Sequence, residues 1–322
     1  MITREGLENQ QIWIYGIALI IGGCIGSAFE SIGAGLQWMI SPLIAILLYG
    51  MFTQIPFLRL REAVSNVKFM LALLVGNFVI VPIVVWGLTP IFPQSPPLLL
   101  GICLVLLSPC IDYVIVFTQL GKGNEKLILA ATPLLFVVQI LLLPLYLWLL
   151  IGKEMISVVQ IGPFLEAFLL MIVVPLLVAI VTQLWAKKQE IGDKVLTLTA
   201  WLPVPFMAFV LIVVVASQIG KVYNDFDSII RVVPIYVLFL IIMPIVGRFI
   251  VRVFTLDIGA GRALIFSMGT RNSLVVLPLA LALPESWRTL AVAVIVTQTI
   301  VELIGELIYI KAVPNWILRD SK

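Results

Sequence analysis

The sequence predicts an all-α polytopic membrane protein. Its ten transmembrane helices are expected as two inverted five-helix repeats, with helices four and nine interrupted and crossing. Three observations predict this. The 322 residues are 62% hydrophobic and 11% charged, with a mean hydropathy of +1.18, more apolar surface than a soluble fold of this size buries. The apolar residues fall into ten segments, near 11–29, 38–55, 67–88, 98–119, 127–151, 163–185, 200–219, 230–254, 262–283 and 287–311. These are of bilayer-crossing length. The chain also resembles itself at a shift of 162 residues.

The first segment follows a polar, acidic start, MITREGLENQ, with no small-residue cleavage site behind it, and is read as a retained helix. Segment two carries Pro42, and segment three Asn77 and Pro82. Segment four holds Ser108, Pro109, Cys110 and Asp112 close together. A proline removes a helix hydrogen bond, and a carboxylate costs several kcal/mol in lipid, so the helix is expected to break here for a purpose. Segment five contributes Thr132 and Gln139; segment six begins near Glu166, read as interfacial. Segment seven follows Trp201 with Pro203 and Pro205, and segment eight contains Pro244. Segment nine contains Arg271 between Thr270 and Asn272, and segment ten carries Gln298, Glu302 and Glu306. Trp13, Trp38, Trp86, Trp148, Trp185, Trp201 and Trp287 lie near segment ends, as an aromatic belt requires.

Charge sets the orientation. With the N-terminus inside, 15 of the 20 Lys and Arg residues fall on inside regions. Only Lys153, Lys221, Arg231 and Arg288 fall outside, and Arg271 lies within a segment. Both termini are therefore expected in the cytoplasm and the protein in the plasma (inner) membrane, as one transmembrane domain over 1–322 with short loops. The net charge of +3 belongs to those loops and does not indicate a nucleic-acid partner. The absence of histidine removes His-based zinc sites, Ser-His and Cys-His catalysis and histidine proton relays. Asp112 has no second aspartate at membrane depth, and no G-x-x-x-x-G-K-[ST] motif occurs. An enzyme is not expected, nor a cofactor or a metal.

The self-similarity points to a class of function. VIVPIVV around Pro82 resembles IIMPIVG around Pro244, and Pro42 shifted by 162 falls between Pro203 and Pro205. The same shift carries Ser108-Pro109-Cys110 onto Thr270-Arg271-Asn272 and brings Gln139 near Gln298. Five-helix halves are inverted because five is odd. Inverted repeats with matching interrupted helices mark secondary transporters, with the binding site at the interruptions.

The fourth segment also resembles a known superfamily, the bile acid:sodium symporters together with the arsenite efflux permeases. The permease branch is closest. Its fourth-helix cysteine, the following C-I-x-x-V-I-V and the later L-x-K-G-D/N are matched by Cys110, Ile111, Val114, Ile115, Val116, Leu120, Lys122, Gly123 and Asn124. The symporters' T-x-L-x-x-G-N is met by Thr118, Leu120, Gly123 and Asn124. Departures are equally specific. The symporters' P-G-G-T-A-S-N reads here Pro109-Cys110-Ile111-Asp112-Tyr113-Val114-Ile115, which removes side-chain oxygens that would help bind sodium. Their ninth-helix E-x-G-x-Q-N reads Ser267-Met268-Gly269-Thr270-Arg271-Asn272, a cation in place of a cation ligand. The permeases' S-N-N-F-E-L keeps Thr270 and Asn272 but has Leu274 for its Glu.

The resemblance implies a secondary active transporter working by alternating access. Helices three to five and eight to ten would form a core, and helices one, two, six and seven a panel. Repeat one spans about 11–151 and repeat two about 163–311. The expected function is proton-coupled efflux of arsenite or a related small oxyacid, with the lipid bilayer as the other partner. The alternative is an ion-coupled symporter of a small organic anion bound by Arg271. Substrate contact is assigned to Cys110, Ser108, Arg271, Asn272 and Thr270, with Cys110 the soft ligand for trivalent arsenic or else a small buried hydrophobe. Cys24 and Cys103 are read as packing. Proton coupling is assigned to Asp112, Glu302 and Glu306. Asp112 and Arg271 are expected to pair, as a proton switch or as a salt bridge holding the crossover. Glu302 and Glu306 sit one turn apart beyond Gln298, on a face expected to look inward as a proton path or a polar seam. Gln139, Gln298, Thr132 and Asn77 are candidates to line the cavity, or to hydrogen-bond between helices.

Overall fold

The computed structural model describes residues 4–29, 35–57, 66–92, 94–111, 113–151, 166–222 and 226–319. In chain order the helices are α1 (Arg4–Ala28), α2 (Ile40–Gln54), α3 (Val67–Leu88), α4 (Pro96–Leu106), α5 (Val114–Leu120), α6 (Glu125–Ile151) and α7 (Glu166–Ala186). Then follow α8 (Glu190–Thr199), α9 (Pro203–Val222), α10 (Phe226–Ile230), α11 (Val233–Val253), α12 (Ile258–Gly269), α13 (Ser273–Leu281) and α14 (Glu285–Ile317). Among the described residues no strand occurs beyond one isolated bridge. By length and apolarity α3, α6, α7, α11 and α14 can each cross a membrane, and α8 with α9, bent by 42°, brings the number to six.

The chain divides into two compact units. The first holds Met1–Leu58, Val158–Phe226 and Leu277–Ala293. Here α1 runs close against α9: a Cβ on Gly22 would fall 2.8 Å from the Ile212 carbonyl oxygen, so only glycine permits the approach. Helix α2 is fastened to α7 by Tyr49 and Thr182, whose hydroxyls are 3.1 Å apart. Its C-terminal carbonyls, orphaned as at any helix end, are collected by one side chain. Gln183 Nε2 on α7 donates to the carbonyls of Phe52 (3.2 Å), Thr53 (3.2 Å) and Ile55 (2.7 Å). Thr53 in turn donates to Thr199 Oγ1 at 2.9 Å, tying in the end of α8.

The second unit holds Arg59–Ser157, Asp227–Val276 and Val294–Lys322. Helix α3 starts at Asn66, whose side chain accepts from Phe69 N at 3.1 Å. It widens into a π turn over Gly76–Ile80 just ahead of Pro82, which relieves the clash of the proline ring with the carbonyl four residues back. The same pairing recurs in the first unit, with a π turn over Leu169–Val173 before Pro175. After α5 the chain turns through Lys122 at a φ of 56°. Gly123 then lets this loop meet α12, since a Cβ there would lie 2.7 Å from Thr118 Cγ2 and 3.1 Å from Ala263 N. Asn124 N donates to Gly259 O (3.0 Å), and its side chain accepts from Leu127 N to open α6. The Leu-x-x-Gly-Asn motif is thus the seam between α5, α6 and α12. Large apolar side chains stand exposed along α6 and α11, among them Leu141, Ile245 and Phe249, on surfaces suited to lipid.

Candidate functional site

Two helical segments, α4–α5 and α12–α13, are interrupted within the second unit, after Leu106 and after Gly269. Ser108 precedes a proline and so disfavours the helical conformation, and α4 stops at Leu106. Helix α12 stops at Gly269, where Thr270 turns extended at φ −87°, ψ 129°. The two breaks meet. Pro109 and Arg271 form an antiparallel bridge, with Cys110 N donating to Thr270 O (3.1 Å) and Asn272 N donating to Ser108 O (2.8 Å). Backbone groups that a break would orphan at membrane depth satisfy one another. In such a pair the two facing residues do not exchange hydrogen bonds. The missing N–H of Pro109 therefore costs nothing, and Arg271 N is released to donate to Glu302 Oε2 at 2.8 Å.

Around this bridge the side chains are buried and densely bonded. Glu302 on α14 accepts from Arg271 N, from Gln298 Nε2, and at 2.7 Å from the Tyr113 hydroxyl, which also lies 3.0 Å from Arg271 O. Thr270 Oγ1 lies 2.7 Å from Phe266 O and 2.8 Å from Glu306 Oε1. A hydroxyl carries one hydrogen, and a carbonyl offers none. Both Thr270 contacts are hydrogen bonds only when Glu306 carries a proton of its own. Glu302 faces two N–H donors, Arg271 N and Gln298 Nε2, and the one Tyr113 hydrogen goes to Glu302 Oε1 or to Arg271 O.

Arg271 is fully buried. Its Nη2 donates toward Ser267 O (2.6 Å), Met268 O (2.8 Å) and Asn77 Oδ1 (2.8 Å), and Nη1 donates to Leu106 O (3.3 Å). Its Cζ stands 5.5 Å from the Phe239 ring centroid. The expected partner, Asp112, lies outside the described residues. Asn77, on the π turn of α3, also donates to Ser267 Oγ (3.1 Å) and Leu73 O (3.2 Å). Asn272 Oδ1 accepts from Val275 N (3.1 Å) and so caps α13. Ser108 turns its hydroxyl back to Leu104 O (2.8 Å).

Cys110 is buried in the break and in no disulfide, Cys103 is buried within α4, and Cys24 is exposed on α1. Thr132 donates to Leu129 O on its own helix, and Gln139 is buried on α6. Several buried polar atoms have no hydrogen-bond partner among the described residues: Arg271 Nε, Asn272 Nδ2, Ser273 Oγ, Gln298 Oε1, Glu306 Oε2 and Gln139 Oε1. Such a mixture of donors and acceptors suits a small hydrogen-bonding solute or water. No group of three or more His, Cys, Asp or Glu suited to a metal ion occurs among the described residues. The first unit holds a separate cavity of about 600 Å³, bordered by Ser41, Pro42, Glu166, Met171, Pro278 and Arg288 among others.

The structure thus brings together Ser108, Cys110, Thr270, Arg271, Asn272, Glu302, Glu306, Gln298 and Asn77. Sequence reasoning missed Tyr113, which joins Glu302 to the second break. Its place beside the segment-four interruption was the available signal.

A transporter of Bacillus subtilis (strain 168), "Uncharacterized sodium-dependent transporter YocS", is 22% identical over 261 residues, covering 80% of this chain and 78% of its own. The family model described as "Sodium Bile acid symporter family" matches residues 41–225, more than half of the chain. With its apolar helices and paired interruptions, this integral membrane protein belongs to the sodium bile acid symporter family of transporters.

Proposed function

We propose that the chain is a proton-coupled secondary active transporter that works by alternating access and exports arsenite or a related small oxyacid. The observation that carries the reading is the hydrogen count at Thr270 and Glu306. A buried acid bonded to the break of α12–α13 completes its contacts only when protonated. Gain or loss of that proton therefore changes the bonding of the break itself. Cys110, buried in the facing break, supplies a soft sulfur for trivalent arsenic, and the permease-like run from Cys110 to Asn124 supports that substrate. Asp112 and Glu302 are assigned to the same proton route.

The reading includes ten crossings in two inverted repeats, a core of segments three to five and eight to ten, and a panel of one, two, six and seven. It places both termini in the cytoplasm, in the plasma membrane. The division of the chain supports the panel in part: residues 1–58 and 158–226 group in one unit, together with 277–293 from segments nine and ten, and 59–157, 227–276 and 294–322 in the other.

The test is arsenite flux in proteoliposomes under an imposed pH gradient without sodium, comparing wild type with Cys110→Ala and Glu306→Gln. Gradient-driven flux that Cys110→Ala abolishes and Glu306→Gln uncouples from pH is the expected result. No arsenite flux from monodisperse, folded protein would refute the substrate.

A second reading, ion-coupled symport of a small organic anion, is favoured by the name of the Bacillus relative, a sodium-dependent transporter. Against a direct role for Arg271 in holding the anion, its Nη atoms are already committed to protein oxygens. Uptake that survives a proton uncoupler in sodium medium would favour this second reading.

A further inference from the structure

Among the described residues, the contacts of Arg271 are not those of an ordinary salt bridge. Nη2 carries two hydrogens, yet three oxygens stand within 2.8 Å of it: Ser267 O, Met268 O and Asn77 Oδ1. Two straight hydrogen bonds cannot serve three acceptors at that range. Three neutral oxygens from two helix-end carbonyls and an amide thus converge on one point, and such a convergence also suits a spherical cation. The oxygens are neutral, as in sites for weakly held hard cations. Two of them close the C-terminal end of α12, and Leu106 O, on Nη1, closes that of α4. Helix C-termini carry partial negative charge, so both interrupted helices direct theirs at one guanidinium. No carboxylate bonds the guanidinium nitrogens among the described residues; Glu302 takes the backbone N–H instead. The Phe239 ring lies 5.5 Å from Cζ.

We infer that Arg271 is a tethered cation: its guanidinium permanently fills an oxygen-lined position that would otherwise take a monovalent metal ion from solution. The native chain then admits no alkali cation there, and its cycle does not load or release one at this point. Replacing the side chain with a short neutral one empties the position while leaving Asn77 Oδ1 and the three carbonyls in place.

The inference deepens the transport reading by removing one candidate coupling ion, but its test requires no substrate. Wild type and Arg271→Ala, purified in lipid nanodiscs, are melted in choline chloride and in LiCl, NaCl or KCl at constant ionic strength. Arg271→Ala is expected to melt lower than wild type in choline and to recover saturably, by several degrees, with one of the alkali cations, because a ligand of the folded state stabilises it by mass action. Methylguanidinium is expected to rescue it likewise. Wild type is expected to show no saturable cation dependence, and Arg271→Lys, which keeps a tethered charge, to behave as wild type. A saturable sodium or potassium shift in wild type itself overturns the inference, and that measurement stands even if Arg271→Ala does not fold. So does a folded Arg271→Ala, or Arg271→Gln in its place, that no alkali cation stabilises. Failure of arsenite flux leaves these melting outcomes untouched, so the two readings fail separately.

Discussion

Replacing Tyr113 with phenylalanine isolates one atom of the site. The phenol oxygen lies 2.7 Å from Glu302 Oε1 and 3.0 Å from Arg271 O. Phenylalanine keeps the ring and its edge-to-face contact with Phe117, at 5.7 Å and 89°. No cavity term enters, so the cost is that of the hydrogen bond alone. A buried hydrogen bond to a charged group contributes about 1.5–3 kcal/mol, and we expect Tyr113→Phe to destabilise the protein by about 2 kcal/mol. The assay is reversible denaturant unfolding in mixed micelles, extended to a double-mutant cycle with Glu302→Gln. If the two groups bond directly, the cycle departs from additivity by about 1.5–3 kcal/mol, where independent sites add to within about 0.5 kcal/mol. An additive cycle, or a Tyr113→Phe cost below about 0.5 kcal/mol, would refute the assignment of Tyr113 as the clasp between Glu302 and the break.

The two glutamates of α14 should differ under one substitution. Glu306→Gln supplies from its amide the hydrogen that Thr270 Oγ1 lacks, so its unfolding free energy should stay within about 0.5 kcal/mol of wild type. Glu302→Gln sets an NH2 group against donors and should cost about 2 kcal/mol or more in the same measurement. In the first unit, Gln183→Ala strips the donor from three carbonyls at the end of α2 and should cost about 1–3 kcal/mol. Amide exchange should quicken at Phe52–Ile55 while α9 stays protected. Gly22→Ala forces a methyl against the Ile212 carbonyl and should lower stability by about 1–3 kcal/mol, whereas Gly16→Ala, with open space around it, should not.

Much of the architecture was legible because lipid imposes simple rules. The apolar run expected at 67–88 matches α3 (Val67–Leu88), and the odd residues at 108–110 and 270–272 lie at the two breaks. Proline, glycine and charge are improbable in a bilayer helix unless something compensates them, so they stand out. What stayed hidden has a physical reason too. Side-chain charges are visible in a sequence; the helix-end carbonyls that stand around the Arg271 guanidinium are not. Glu302 reaches a backbone N–H, which every residue but proline offers and none advertises. Helix α8 falls between the apolar segments expected at 163–185 and 200–219, because Glu190, Asp193 and Lys194 interrupt its apolar residues, of which Ile191 and Leu198 are exposed.

The bridge between Pro109 and Arg271 has a mechanical consequence. Two hydrogen bonds, of 2.8 and 3.1 Å, pin the midpoints of two rods, and four half-helices radiate from that pin as levers. Bonds lying across the strips oppose sliding of one rod past the other but hardly oppose a change in the angle between them. On the transport reading proposed above, a solute at Cys110 and a proton at Glu306 would both act on Thr270, the first through its carbonyl oxygen and the second through its side-chain hydroxyl. On that reading load and fuel meet at one residue, each altering the affinity for the other by the same factor.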